Sequence, residues 1–284
     1  MRKVYVQLKE AGFSFAKVCF LVTDEFLVRC NRQVFCVLYN LRSFLLGWDA
    51  RFFYERDRKL FYAFTGERKH FFLNRRQALN AYRWSLPRRA KDLARVYHLD
   101  AVGLQDGDTV VDCGANVGDL LLSLESYGKN IRYYGFEPSP SEFSCLRLNA
   151  KDYKACNMGL WNQSGQLNFY LSSDGADSSF IEPRVFDEIR RVDTKRLDEI
   201  LPGDIEIKLL KLEAEGAEPE VIEGLGSLLH NISYISADLG FERGIDEEST
   251  LCPVVNHLLA NGFELVALTG GRMVALFKNK LICG

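Results

Sequence analysis

A glycine-containing turn follows a short apolar run near the middle of the sequence. Residues 110–118 read Val-Val-Asp-Cys-Gly-Ala-Asn-Val-Gly, so that Asp112 stands directly before the turn and Gly114, Asn116 and Gly118 lie within it. Glycine permits a tight turn and lets a ligand approach the backbone, and the N–H groups of the next helix then point at that ligand. The pattern predicts a strand, a ligand-binding turn and a helix. A helix start that binds nothing is the alternative.

The spacing and charge of this turn favour one class of ligand. The glycines follow G-x-x-x-G rather than the G-x-G-x-x-G of dinucleotide-binding folds. The carboxylate of Asp112 would repel a pyrophosphate but suits an ammonium group. S-adenosylmethionine carries an ammonium group and no phosphate, so we predict that Asp112, Gly114, Asn116 and Gly118 bind it. A nicotinamide-dependent oxidoreductase is the less favoured alternative.

A second acidic residue ends the next predicted strand. Residues 134–138 read Tyr-Gly-Phe-Glu-Pro, and Glu137 lies 25 positions beyond Asp112. A carboxylate at this place can accept hydrogen bonds from both ribose hydroxyls. S-adenosylmethionine and NAD share this ribose, so Glu137 does not distinguish them, and taken alone it could be a helix-start carboxylate. Asn157 and Met158, at the end of the third strand, complete the predicted cofactor-binding set.

Carboxylates also follow the fourth predicted strand. Residues 207–218 run from a largely apolar segment, Ile-Lys-Leu-Leu-Lys-Leu, into Glu213, Glu215 and Glu218. If the backbone stays extended, Glu213 and Glu215 share a face. Glu218 and Glu220 begin a helix, whose dipole favours negative charge there, so we interpret both as structural.

The elements that must position these residues form an α/β pattern from Asp106 onward. Short apolar runs alternate with amphipathic helices, which predicts a mostly parallel sheet whose ligand-binding edge is at the carboxyl ends of its strands. The last two runs are joined by a turn too short for a crossover helix, so they form an antiparallel hairpin. The seven predicted strands are 109–112, 131–136, 155–157, 207–212, 232–238, 263–268 and 273–278. An insertion between the third and fourth holds a further strand over 166–171 and a polar loop over 172–184.

Three segments together resemble the FkbM-type S-adenosylmethionine-dependent methyltransferases. They are residues 112–118, 136–138 and 211–218, and the similarity also takes in Asp177-Ser178-Ser179 and residues 194–198. The resemblance implies a class I, Rossmann-like methyltransferase fold with a seven-stranded sheet and an antiparallel last strand. It also implies O-methylation of a sugar, glycan or related small product. The family commonly has Asp where this chain has Glu213.

Methyl transfer to a hydroxyl requires an in-line geometry and is helped by a general base. We predict that Glu213 or Asp238, at the ends of neighbouring strands, is that base; His98, His230 and His257 are less well placed. Two carboxylates could instead bind a divalent metal, although we predict no metal ligands. The alternative from another class is a catalytically silent adaptor that uses the fold to dock on an anionic surface.

Charge is distributed unevenly along the 284 residues. The formal net charge is −2, which argues against a nucleic-acid partner, yet residues 51–95 carry 13 Lys and Arg against 4 Asp and Glu. This segment is either a solvated surface or a patch for an anionic acceptor or membrane. We therefore predict an N-terminal helical and β-hairpin extension over 1–87, basic and aromatic-rich over 51–87, and a methyltransferase domain over 88–284.

Residues 1–47 have helical periodicity, but charged residues interrupt their apolar run. They predict an amphipathic helix packed on the protein, with peripheral membrane contact as the alternative. The eight cysteines form no C-x-x-C pair, and no cleavable signal peptide is evident, which together predict reduced thiols and a cytoplasmic location.

Overall fold

The computed structural model describes residues 23–65, 68–172 and 178–282. It divides into two compact units, one ending at Leu86 and the other beginning at Pro87. The predicted helix over 1–47 lies outside the described residues as far as residue 22, and so does Asp177 of the family resemblance.

The first unit packs helices on a small antiparallel sheet. Residues 23–29 are helical. The other elements are α1 (Arg32–Leu45), β1 (Phe52–Glu55), β2 (Leu60–Phe64), β3 (Lys69–Phe72) and α2 (Arg75–Ala81), with the strands in the order β1-β2-β3. The side chain of Asn31 caps α1 by accepting the N–H groups of Gln33 and Val34. An aromatic core joins α1 to the sheet, because Phe35 stacks on Phe52 and meets the edge of Phe61.

The outer face of α1 is also apolar. Its exposed apolar residues are Val34, Val37, Leu41, Phe44 and Leu45. The inner face packs on the protein as predicted, and contact of the outer face with a membrane stays the alternative. Among the described residues, no helix combines the length and apolar composition that a membrane span requires.

The second unit is built on a seven-stranded sheet. The strand order is β14-β15-β11-β10-β4-β5-β6; β15 runs antiparallel to both neighbours and the other pairs are parallel. The strands are β4 (Thr109–Cys113), β5 (Arg132–Phe136), β6 (Lys154–Cys156), β10 (Ile207–Leu212), β11 (Ile232–Asp238), β14 (Phe263–Thr269) and β15 (Val274–Asn279). The predicted class I methyltransferase fold, with its antiparallel last strand, is confirmed.

Helices and short sheets complete this unit. The helices are α3 (Leu86–Val96), α4 (Leu99–Val102), α5 (Asp119–Ser126), α6 (Pro140–Asn149), α7 (Glu218–Glu223) and α8 (Leu251–Ala260). The remaining strands are β7 (Gly159–Leu160), β8 (Gly165–Leu171), β9 (Glu188–Lys195), β12 (Phe241–Arg243) and β13 (Glu248–Ser249). All five residues of β4 are buried, because apolar side chains cover both faces of the central sheet.

The insertion departs from the sequence prediction. β9 pairs antiparallel with β8 and parallel with β7, although no strand was predicted over 188–195. Only Val192 and Thr194 are buried in this strand, so its sequence lacks the apolar alternation that marks a strand. Ser179 forms a bridge with Tyr170, which gives structure to part of the predicted loop.

Candidate functional site

The turn between β4 and α5 is a close-packed backbone loop. Gly114, Asn116 and Gly118 have positive φ angles of 71°, 49° and 90°. A Cβ added to Gly114 would lie 1.8 Å from the carbonyl oxygen of Glu213. The N–H groups of Gly114 and Ala115 both donate to the carbonyl of Phe136, at 3.1 and 3.0 Å. Position 114 therefore requires glycine, and the loop is held against the ends of both neighbouring strands.

Glu137 links this loop to the end of β5. Its carboxylate accepts the N–H of Asn116 at 2.7 Å and that of Ser139 at 2.8 Å, one on each oxygen. Burial and the nearby Glu142 carboxylate raise the pKa of Glu137 to about 8. Each oxygen keeps a second lone pair, so Glu137 can still accept hydroxyl groups of a ligand.

The end of β6 is tied to the same region. The Asn157 side chain donates to the carbonyls of Glu137 and Pro138, at 2.8 and 3.0 Å. Met158 is half-buried and packs against the apolar core. The structure thus brings the predicted cofactor-binding residues from three strands together, and their contact with a ligand stays a prediction.

Asp112 lies deeper than its predicted role requires. It is 1% exposed, accepts the Tyr133 hydroxyl at 2.7 Å and lies 3.2 Å from Nζ of Lys211. Burial raises its pKa despite these two partners. These contacts give Asp112 a structural task beneath the loop, and its direct contact with an ammonium group stays a prediction.

Lys211 connects the loop with the second group of carboxylates. Its Nζ donates to the carbonyls of Gly114 and Cys113, at 2.7 and 3.2 Å, and lies 3.0 Å from Oε2 of Glu213. Burial acts to lower its pKa, but the Asp112 and Glu213 carboxylates together hold the pKa of Lys211 well above its ordinary value. A charged ammonium therefore lies buried at the centre of the carboxyl edge.

Glu213 is bound by donors from three parts of the chain. The Tyr97 hydroxyl donates to Oε2 at 2.6 Å, Lys211 contacts the same oxygen, and the guanidinium of Arg272 donates to Oε1 at 2.6 Å. Burial opposes ionisation, but Lys211, Arg272 and Tyr97 outweigh it and lower the pKa of Glu213 to about 2. Glu213 is thus held as a carboxylate at neutral pH.

Asp238 shares the same guanidinium. It is 2% exposed, and its Oδ2 lies 2.6 Å from Arg272. Arg272 belongs to the turn that joins β14 to β15, and Glu213 and Asp238 hold its pKa above the ordinary value although burial acts to lower it. The two predicted catalytic carboxylates are therefore brought together by one cation.

Three further acidic residues, Glu215, Glu218 and Glu220, follow the fourth strand of the predicted sheet. Glu218 accepts the N–H groups of Ala214 and Gly216, and Glu220 forms a two-point ion pair with Arg243. Their structural interpretation is confirmed. Glu213 and Glu215 would share a face only on an extended backbone, and that condition is not met, because Glu215 has a φ of 50° and the strand ends at Leu212.

Tyr97 and Arg272 were missed by the sequence analysis. Arg272 had a usable signal, since a hairpin turn that follows a parallel strand must lie at the carboxyl edge. Tyr97 had no such signal, because it lies between α3 and α4, before the first strand of the seven-stranded sheet. His98 is bound to the hydroxyl of Thr269 at 2.9 Å, and no group of His, Cys, Asp or Glu among the described residues is arranged to hold a metal ion.

Residues 112–252 match the family model described as Methyltransferase FkbM domain, and this range contains the loop, Glu137, Glu213 and Asp238. These residues belong to the FkbM methyltransferase family. This chain is 27% identical over 153 residues to "Methyltransferase 1" of Beauveria bassiana, covering 44% of this chain and 61% of that protein. It is 39% identical over 56 residues to "31-O-demethyl-FK506 methyltransferase FkbM" of Streptomyces tacrolimicus, covering 20% and 22%. The chain thus spans less than two thirds of either relative.

Two solved structures are similar to part of this chain at low sequence identity. The crystal structure of an rRNA methylase from Streptococcus thermophilus has a TM-score of 0.39 and 14% identity, covering 66% of this chain and 96% of that one. A precorrin-6y C5,15-methyltransferase from Geobacter metallireducens has a TM-score of 0.38 and 15% identity, with coverages of 66% and 89%.

Proposed function

We propose that this chain is an S-adenosylmethionine-dependent methyltransferase that methylates a hydroxyl group of a sugar, a glycan or a related small product. The observation that carries the proposal is that the FkbM match contains the linked carboxyl ends of β4 and β5, where the glycine loop meets Glu137. In open α/β sheets of this kind, ligands bind at the carboxyl ends of the strands.

The described residues fit this cofactor in two respects. The hydrogen bond from the N–H of Asn116 to Glu137 holds the glycine loop beside the predicted ribose ligand. Glu137 has unused lone pairs for ribose hydroxyls. When bound, S-adenosylmethionine supplies an electrophilic methyl group. We assign its binding to the predicted set, namely Asp112, Gly114, Asn116, Gly118, Glu137, Asn157 and Met158.

Oxygen is the acceptor atom that the available facts support best. The name of the Streptomyces tacrolimicus relative describes an O-demethylated substrate. A hydroxyl must lose its proton during transfer, and the carboxyl edge holds several carboxylates that could take part. A screen of nucleotide sugars, lipid-linked glycans and polyols, with product mass as the readout, tests the acceptor class.

Calorimetry with S-adenosylmethionine tests the cofactor directly. We expect Glu137→Ala to weaken binding by roughly 1–3 kcal/mol, because the hydrogen bonds to the ribose hydroxyls are lost. Glu206→Ala is the matched control, since Glu206 is an exposed glutamate beside the opposite end of β10. Unchanged affinity in Glu137→Ala would remove Glu137 from the site, and no binding by the wild type would favour the silent adaptor. Loss of turnover with a chelator would favour the metal-dependent alternative.

A further inference from the structure

A third carboxylate lies at the edge where Glu213 and Asp238 end their strands. Glu242 belongs to β12, four residues after Asp238. The β12–β13 pairing shifts its register between Phe241 and Arg243, so Glu242 is the residue without a partner in the ladder. An irregularity of this kind re-aims a side chain, and such bulges are frequent beside active sites.

The Glu242 carboxyl folds back toward Asp238. Its Oε1 lies 3.5 Å from the position that a Cβ on Gly240 would occupy, and Oδ1 of Asp238 lies 3.4 Å from the same point. The next residue fixes the strand, since Arg243 donates to the Gly216 carbonyl at 2.5 Å and pairs with Glu220. The Asp238 and Glu242 carboxyl groups therefore both approach Gly240, which has no side chain to separate them.

Glu213 and Asp238 are poor acceptors for a proton in this arrangement. Protonation of Glu213 would oppose its contacts with Lys211 and Arg272. Asp238 is almost fully buried, its Oδ2 is paired with Arg272, and its Oδ1 accepts the N–H of Gly240 at 3.3 Å. Both carboxylates are occupied by the protein's own donors.

Glu242 differs in its contacts and its surroundings. It is half-buried, and no side chain or backbone group of the described residues forms a hydrogen bond or ion pair with its carboxyl. The charged groups that face it are Asp238 of β11, Glu213 at the end of β10, Glu218 of α7 and Arg272 of the hairpin turn. Burial and the three carboxylates raise the pKa of Glu242 to about 7, and Arg272 opposes them. An effective general base has a pKa near the operating pH.

We propose that Glu242, re-aimed by the register shift in β12 and left without a protein donor beside Asp238, is the group that accepts the proton of the acceptor hydroxyl. The proposal rests on the proposed methyltransferase function. The O–H bond breaks and its proton moves to a carboxylate oxygen of Glu242, while the hydroxyl oxygen forms a bond to the methyl carbon. The carbon–sulfur bond breaks with its electron pair on sulfur, which gives a methyl ether, S-adenosylhomocysteine and a protonated Glu242 that returns its proton to solvent.

The test compares Glu242→Gln with Glu248→Gln, a matched control on the exposed partner strand of the same small hairpin. Methyl transfer from S-adenosylmethionine to a pooled panel of nucleotide sugars and polyols is followed by product mass between pH 5.5 and 9. We expect Glu242→Gln to lower the rate by about 10²–10⁴ and to remove a rate limb near pH 7, with S-adenosylmethionine affinity unchanged. Glu242→Asp should restore part of the rate and the limb.

The outcomes separate this proposal from the function on which it rests. A wild type that does not bind S-adenosylmethionine in calorimetry overturns the methyltransferase function and the role of Glu242 with it. A wild type that binds and transfers, beside a Glu242→Gln variant that keeps most of the rate and the limb, overturns the role of Glu242 alone. Loss of cofactor binding in Glu242→Gln would also overturn it, because a residue that serves only the proton would leave binding intact.

Discussion

Glu213 is a carboxylate that the surrounding side chains keep charged. Tyr97, Lys211 and Arg272 come from three separate elements and converge on its two oxygens. Removing the Glu213 carboxylate takes one counter-charge from the buried Lys211 ammonium and one from the half-exposed Arg272 guanidinium, which is destabilising. The carboxylate therefore contributes to the stability of the fold as well as to the electrostatics of the edge.

We expect Glu213→Gln to lower the free energy of unfolding by about 3 kcal/mol at pH 7, the lower end for a broken buried pair, since Asp112 and Asp238 still face the two cations. The folded-state pKa of Glu213, about 2, is lower than its ordinary value of 4.5. The contribution is thus present above the ordinary value and is lost as pH falls toward 2. Urea unfolding at several pH values measures it, and a difference from wild type that stays constant between pH 3 and 7 would contradict the ion-pair account.

Single residues also mark the limit of what the sequence could predict at the site. Glu137, Glu213 and Asp238 were recognisable because each ends a strand, and strand ends meet at one edge. Tyr97 reaches Glu213 across 116 positions of sequence, and no local pattern encodes such a contact. Glu242 was missed because the direction of its side chain depends on the register shift in the β12–β13 pair.

At the scale of elements, the glycine loop is the part that most restricts the sequence. Gly114 is pressed against the backbone of the neighbouring strand's end, whereas Gly103 has a similar positive φ of 63° and nothing within 4 Å of its missing side chain. Comparing Gly103 with Gly114 therefore separates the two causes that can require glycine at a position, a left-handed backbone and a lack of space for a side chain.

We expect Gly103→Ala to destabilise the protein by about 1–2 kcal/mol, the penalty of a left-handed conformation. Gly114→Ala carries this penalty and a backbone collision in addition, so it should unfold at lower urea concentration than Gly103→Ala and should lose S-adenosylmethionine binding. Urea titration and calorimetry on both variants give the comparison. Equal stability of the two would show that space at position 114 is not limiting.

The strands of the central sheet were predictable because burial on both faces produces continuous apolar runs. The ranges 207–212 and 232–238 agree with β10 and β11 at both ends. β9 was not predictable in this way, because its first four residues are exposed. Three of them are charged and the remaining one is isoleucine. Its pairing with β8 decides its conformation, and that is a tertiary contact.

At the scale of the whole molecule, the basic segment over 51–95 contrasts with the acidic remainder. If this segment recognises an anionic acceptor, acceptor affinity should fall as salt rises, because exposed charges are screened beyond about 8 Å at physiological ionic strength. Arg56→Gln combined with Lys59→Gln, both at exposed positions, should reduce that salt dependence. Lys280→Gln, an exposed lysine of the other unit, is the control. Affinity that does not change with salt would return the segment to a solvated surface.

The position of β15 has a consequence for how the family match can be used. The matched range ends at residue 252, before β14, β15 and Arg272, and begins after Tyr97. β15 pairs with β11 along Tyr234–Asp238, so a fragment cut to the matched range would leave this side of the apolar strand β11 unpaired. Such open edges recruit strands from other chains. The isolated range should therefore aggregate, while a fragment that runs from Pro87 through β15 keeps the edge covered and the carboxylates paired.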